Sequence, residues 1–209
     1  MVRPALLLTL LGSVLVRIAP VWACACCAER GFWEQAEMEP SAYERHEIDR
    51  LRFGIEGRLS AGERGIVRLL RHAPPLAEIY RISVARGERQ WTMQLEDAAG
   101  RVGELVLYLP QTWTVFRTDP GDGRIVREGE PLLYKELRLE GAVDAQGMFK
   151  PDITARSRYR LVLQGRGNAC FSGADFTSWI LQLEGPDPAR PASHVVYYSI
   201  YGRLDPVED

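Results

Sequence analysis

Gln90-Trp91-Thr92-Met93-Gln94-Leu95-Glu96 alternates polar and apolar residues without a break. Successive side chains of a β-strand point to opposite faces, so such a run wets one face and buries the other. The pattern recurs in both directions. Upstream, Leu51, Phe53, Ile55 and Leu59 oppose Arg50, Arg52, Glu56 and Arg58, and Tyr80, Ile82 and Val84 oppose Arg81 and Ser83. Downstream, Leu137 and Leu139 alternate with Glu136, Arg138 and Glu140, and Tyr159, Leu161 and Leu163 with Arg158, Arg160 and Gln164. Trp179, Leu181 and Leu183 continue the series, and Val195 to Tyr201 closes it.

Turn-forming clusters separate these runs: Ser60 to Glu63, Arg86 to Glu88, Asp97 to Gly100, Asp119 to Gly123, Asp144 to Gly147 and Gly165 to Asn168. Together they predict an all-β fold, a single antiparallel β-sandwich or small barrel of about 8–10 strands. Parallel strands covered on both faces would read as continuous apolar runs instead. One short helix is expected near 41–50, where Ser41-x-x-Glu44 has capping-box form and no Gly or Pro follows before Arg50.

The first residues carry a different signal. Arg3 precedes the apolar run Ala5–Val16, which is too short to span a bilayer. Arg17 and Pro20 break it, and small residues at Ala23 and Ala25 permit cleavage before Cys24 or Cys26. Residues 1–23 therefore read as a secretory signal peptide, 24–40 as a cysteine-bearing arm without clear period, 41–204 as the β-domain and 205–209 as a polar tail. The protein is expected to be periplasmic or secreted. Without Arg3 and Arg17 the 26 basic residues become 24 against 28 acids, a formal charge of −4 that favours no nucleic-acid partner.

Cys24, Cys26, Cys27 and Cys170 are the only cysteines. Three readings of the cluster compete. In an oxidising compartment the four are disulfide candidates, and four cysteines allow three pairings. A link from Cys170 to the cluster closes a loop of about 145 residues, for which chain entropy allows roughly 4–5 kcal/mol. Cys24 is also a lipidation candidate, following Val21-Trp22-Ala23, and only lipid there would bring the chain to a membrane. Finally, Cys24, Cys26 and Cys27 are weak candidates for a soft metal, because no Cys-x-x-Cys or His-x-His supports them and His46, His72 and His194 are scattered. No cofactor is implied.

Other features favour ordinary structure. Gly165-Arg-Gly-Asn-Ala-Cys170 does not precede a helix, so its glycines read as a strand turn rather than a phosphate cradle. Asp119 and Asp122 lack the ligand count of a calcium loop. There is no Gly-x-Ser-x-Gly elbow, and Ser172 or Cys170 would need a histidine brought from elsewhere, so the balance leans away from an enzyme. Arg156, Arg158 and Arg160 fall on one strand face, where Glu136 and Glu140 are suitable salt-bridge partners. Trp91, Trp113, Trp179 and Tyr197 fit a packed core, and would line a ligand cavity if the strands close into a barrel.

Gly31-Phe32-Trp33, ahead of a run of antiparallel strands, resembles the Gly-x-Trp of lipocalins. That likeness implies a barrel carrying a small ligand. Cys-Ala-Cys-Cys-Ala-Glu at 24–29, with Leu-Val-Leu-Gln-Gly-Arg-Gly-Asn at 161–168, resembles uncharacterised exported bacterial proteins and implies no activity. The expectation is an exported cell-envelope β-domain that binds a partner, with its N-terminal arm held by disulfide chemistry. A lipocalin-like small-ligand carrier, or thiol and metal chemistry at the cluster, is the alternative.

Overall fold

The computed structural model describes residues 28, 30–62, 78–121, 132–187, 190 and 192–206. Ten antiparallel strands and one α-helix follow in the order β1 (Trp33–Met38), α1 (Ala42–Asp49), β2 (Arg52–Ala61), β3 (Ile79–Arg86), β4 (Gln90–Glu96), β5 (Val102–Tyr108), β6 (Trp113–Thr118), β7 (Leu133–Gly147), β8 (Arg158–Gly167), β9 (Phe176–Pro186) and β10 (His194–Asp205). β2, β3, β4 and β5 pair consecutively, as do β7, β8, β9 and β10, while β5 pairs with β7 and β10 returns to β2. This closes an eight-stranded barrel and settles the choice between sandwich and barrel. Closure removes the open edges that these eight strands would otherwise expose.

β7 is where the wall branches. Its Val143–Gly147 half pairs with β5, while Tyr134–Arg138 pairs with β6, which in turn carries β1. At the junction a Cβ on Gly141 would collide with the carbonyl of Tyr108 and the ring of Tyr159. Glycine there lets the end of β5 pass close to β7, and Tyr159 Oη donates to that carbonyl at 3.0 Å.

Local periodicity yielded to tertiary pairing at four places. Asp144, Ala145 and Gln146, which read as a turn, remain in β7 opposite Val106, Leu105 and Glu104, and the chain turns only after Gly147 at φ 61. Gly165 and Gly167, also read as a turn, lie inside β8. A Cβ on either would run into Asp175, so their role is to admit that residue. Ile55 is 72% exposed rather than on the core face, because the β2–β10 ladder slips by two residues between Gly57 and Phe53 and Ile55 lies in the bulge. Finally, Trp33–Met38 becomes a strand although neither face is apolar. Pairing with β6 holds it, so the arm is structured from residue 33, and β10 likewise extends through Asp205 into the expected tail.

The helix forms where the capping box placed it. Ser41 Oγ accepts from the Glu44 amide at 3.3 Å, and the Glu44 carboxylate accepts from the Ser41 amide at 2.7 Å. The Ser41→Ala variant should lose about 1 kcal/mol in urea unfolding, while Ser41→Asp should keep most of it.

α1 covers one end of the barrel. Ile48 and the following Leu51 are buried, Arg45 lies 5.8 Å over the Trp113 ring, and Tyr43 Oη donates to the Phe171 carbonyl at 3.1 Å. Arg86, at the end of β3, donates to the Asp49 carbonyl at 2.6 Å and to the Leu51 carbonyl. Its guanidinium lies 5.5 Å and 5.3 Å over Phe53 and Trp91. Burial pushes its pKa below the ordinary arginine value, with Asp49 opposing. At the opposite end, the β7–β8 connection folds Phe149 and Ile153 into the core, and Asp152 accepts from Tyr198 Oη at 2.8 Å.

The β4–β5 hairpin turns on Asp97, whose carboxylate accepts from the amides of Ala99 and Arg101, both at 2.9 Å, and from Arg101 Nε at 2.6 Å. Burial alone would raise this carboxyl, but the bonds from Arg101 and Ala99 outweigh it and hold the pKa below the ordinary value. An acid depressed on folding stabilises the native state above its unfolded pKa, and that contribution fades as pH falls through the folded value. Wild type should therefore be more stable than Asp97→Asn at pH 7, with the gap closing below about pH 4 in a pH series of urea melts.

Candidate functional site

The interior comes first, because a carrier would keep its ligand there. Trp91, Trp113, Trp179 and Tyr197 are all buried, and Trp179 is wholly inaccessible along with Leu59, Tyr80, Met93, Leu95, Leu105, Leu161 and Tyr198. Residues from every wall of the barrel reach the same core. Among the described residues, side chains therefore pack closely around Trp179 at the centre of the barrel. Phe53 braces two of them edge-on, with ring centres 6.0 Å from Trp91 and 5.4 Å from Trp179. Tyr197 is turned to the wall, its hydroxyl donating to the Pro186 carbonyl at 2.6 Å.

Open volume lies on the outer wall instead. Two grooves of about 420 and 400 Å³ run along β8 between β7 and β9 and share Glu140 and Arg160. The ladder registers place the outward residues. Row by row across β7, β8 and β9, they are Glu136, Gln164 and Ser178; then Arg138, Val162 and Ile180; then Glu140, Arg160 and Gln182; then Ala142, Arg158 and Glu184.

Arg160 Nε donates to Glu140 at 2.6 Å, and its Nη1 is 3.6 Å from Glu184. The Glu140 bond raises its pKa. Arg138 Nε donates to Glu136 at 2.7 Å, and Gln164 Nε2 donates to both Glu136 and Tyr134 Oη, at 3.2 and 2.9 Å. Burial would raise the Glu136 carboxyl, but the bonds from Tyr134, Arg138 and Gln164 hold it below its ordinary value. Burial and the Glu136 carboxylate push the Tyr134 hydroxyl up to about 12.

The arginine–glutamate pairing expected from the sequence holds for Arg160 with Glu140. Arg156 is not on the strand but in the turn before β8, where its carbonyl meets His194 Nε2 at 3.2 Å. Beyond Tyr134 the wall turns aromatic. Phe116 stands edge-on between Tyr134 (6.3 Å) and Trp33 (6.4 Å), with Arg138 5.5 Å over its ring, and Trp33 is 65% exposed. Solvent-facing ion pairs add little to stability, so Glu140→Ala and Arg160→Ala should each shift it by less than about 1 kcal/mol in urea melts.

Cys170 lies in the β8–β9 loop over an unexpected group. Lys135 occupies the inward parity of β7 between Leu133 and Leu137, is 3% exposed, and donates to the Cys170 carbonyl and the Asp175 carboxylate. Burial pushes its pKa below the ordinary lysine value, with Asp175 opposing. Arg117 donates to the Ala169 carbonyl and sits 3.5 Å from Glu34, the Cys170 amide donates to Asn168 Oδ1 at 2.9 Å, and the Gly173 amide donates to buried Glu47 at 2.9 Å. The loop is thus held from β6, β7 and α1 together. A lysine at an inward-facing position was visible in Leu133-x-Lys135-x-Leu137, whereas its acidic partner 40 residues away was not.

Cys24, Cys26, Cys27, the stretch 1–23 expected to be a leader and the expected cleavage positions lie outside the described residues, as do Asp122 and His72. Among the described residues no three metal-ligating side chains cluster, and no helix is long and apolar enough to cross a membrane. The fold and its sites define the class as a closed eight-stranded meander barrel with a packed interior and a polar wall groove. No protein-family model, curated protein or solved structure matches the chain.

Proposed function

We propose that the protein is an exported cell-envelope binding module that meets its partner on the outer wall of β7–β9, with its N-terminal arm stapled to the barrel through Cys170. The packed interior carries this reading. With Trp179 and its neighbours inaccessible, the groove along β8 offers a ligand open space on the outside of the barrel. It also weighs against a lipocalin-like carrier, which needs an apolar lumen. The staple is supported by the disulfide-bonded state of Cys170 together with the chain's remaining cysteines, all of which fall at 24–27. The loop frame around Lys135 keeps Cys170 in position for it.

Two measurements test the reading. Protein purified from an exporting bacterial host should have the mass of a chain lacking the first 23 residues, and should resist alkylation until reduced. Retained leader, or free thiols in unreduced protein, would remove export or the staple. Lipid on Cys24 would make the module an anchored one. The same protein should take up no apolar fluorophore in titration, and stoichiometric uptake would restore the carrier.

A further inference from the structure

Building on the wall as the binding face, we propose that its ligand is a linear, uncharged glycan. The two grooves join at Glu140 and Arg160 into one strip along β8. From Arg158 to Gln164 this strip is about 20 Å long, at roughly 3.4 Å per strand residue, which is room for several linked sugar rings.

Charge is the first argument. Glu136, Glu140 and Glu184 face Arg138, Arg160 and Arg158, through direct ion pairs or across the ladder. The field along the strip is cancelled internally, so a strongly charged partner would have to break existing pairs to gain new ones. Hydroxyl groups need not, because they both donate and accept and can bridge a paired guanidinium and carboxylate, with the Gln182 amide adding sites of both kinds and the Gln164 carbonyl oxygen an acceptor, its Nε2 being engaged by Glu136 and Tyr134.

Backbone availability is the second. β8 is paired along both edges, with β7 and with β9, so an extended peptide finds no free ladder to join and would lose its main source of affinity. Apolar contact is the third. Val162 and Ile180 floor the strip, and Tyr134, Phe116 and exposed Trp33 continue it with ring faces and edges against which the C–H faces of sugars can pack.

The test uses the mature full-length protein, with cellohexaose and chitohexaose as neutral probes and hexagalacturonate as their anionic counterpart. Calorimetry should show saturable binding of a neutral hexasaccharide with Kd on the order of 10⁻⁴ M, unchanged between low and high salt. The Gln164→Ala/Gln182→Ala variant should weaken it at least tenfold while the chain stays folded, its melting temperature falling only slightly with loss of the Gln164 bonds to Glu136 and Tyr134. Amide shifts in the bound state should fall on β7–β9, which serves as a readout even if that variant folds poorly.

Binding of the anionic probe alone, with strong salt dependence, overturns the inference, and so does no binding of any probe. A photo-crosslinker at position 162, activated in the exporting host, separates the two levels of argument. A protein adduct without saccharide binding refutes the glycan and leaves the wall as the interface. Silence in both refutes the wall as well.

Discussion

Replacing Lys135 with alanine is expected to lower stability by about 3–5 kcal/mol in urea unfolding, because it strips a buried charge pair of one partner. The Asp175 carboxylate and the Cys170 carbonyl would both lose their donor, and the β8–β9 loop would lose its tie to β7. The pair itself is not a large net gain. Burial already depresses the lysine pKa against the pull of Asp175, so the environment disfavours the charge more than the partner favours it. The double variant Lys135→Met/Asp175→Asn should therefore recover most of the loss, giving a coupling of opposite sign to the single effects.

The lysine also sets a pH dependence. A base whose pKa is lower in the folded than in the unfolded state binds more protons when unfolded. Wild-type stability should accordingly rise, relative to Lys135→Met, from the depressed folded value up to about pH 10.4. A Lys135→Ala protein within about 1 kcal/mol of wild type would mean that the pair is open to water and the frame around Cys170 is loose.

Trp179→Ala is the second large effect, at about 3–5 kcal/mol, since the removed indole leaves a cavity its neighbours cannot fill. Trp179 is wholly buried, donates Nε1–H to the Arg203 carbonyl at 3.1 Å, and packs against Phe53. Gly202 lies beneath it, where an added Cβ would come 2.9 Å from the ring. The variant bears on function as well as stability. In a barrel that carries ligands the lumen aromatics already border empty space, and their removal costs little. Here a cost below about 1 kcal/mol would contradict a packed interior and return the carrier to consideration.

The two experiments probe what differed most in legibility. Alternation in Gln90–Glu96, Arg158–Gln164 and Trp179–Leu183 is a property of adjacent residues, and each of these runs is a strand with the expected face inward. The capping box at Ser41 and Glu44 is equally local and starts the helix at Ala42, within a residue of the expected bound. Part of the proposed binding wall was visible in the same way, as arginines and glutamates on outward positions of neighbouring strands.

The remainder depended on which strands meet. Alternation says which side chains share a face, not whether the sheet closes, and closure follows from β10 reaching β2 across the chain. Turn propensity in Asp144–Gly147 and Gly165–Asn168 amounts to a modest preference per residue, outweighed by the β5–β7 and β7–β8 ladders and by the packing of Asp175 against two glycines. By itself the sequence determined an antiparallel β-domain, the helix after Ser41 and the inward or outward sense of most strand residues, because these rest on interactions a few residues long. Only the tertiary structure decided the closed barrel, the filled interior, the pairing of Lys135 with Asp175 and the groove along β8, because each depends on contacts between segments that the chain brings together only when it folds.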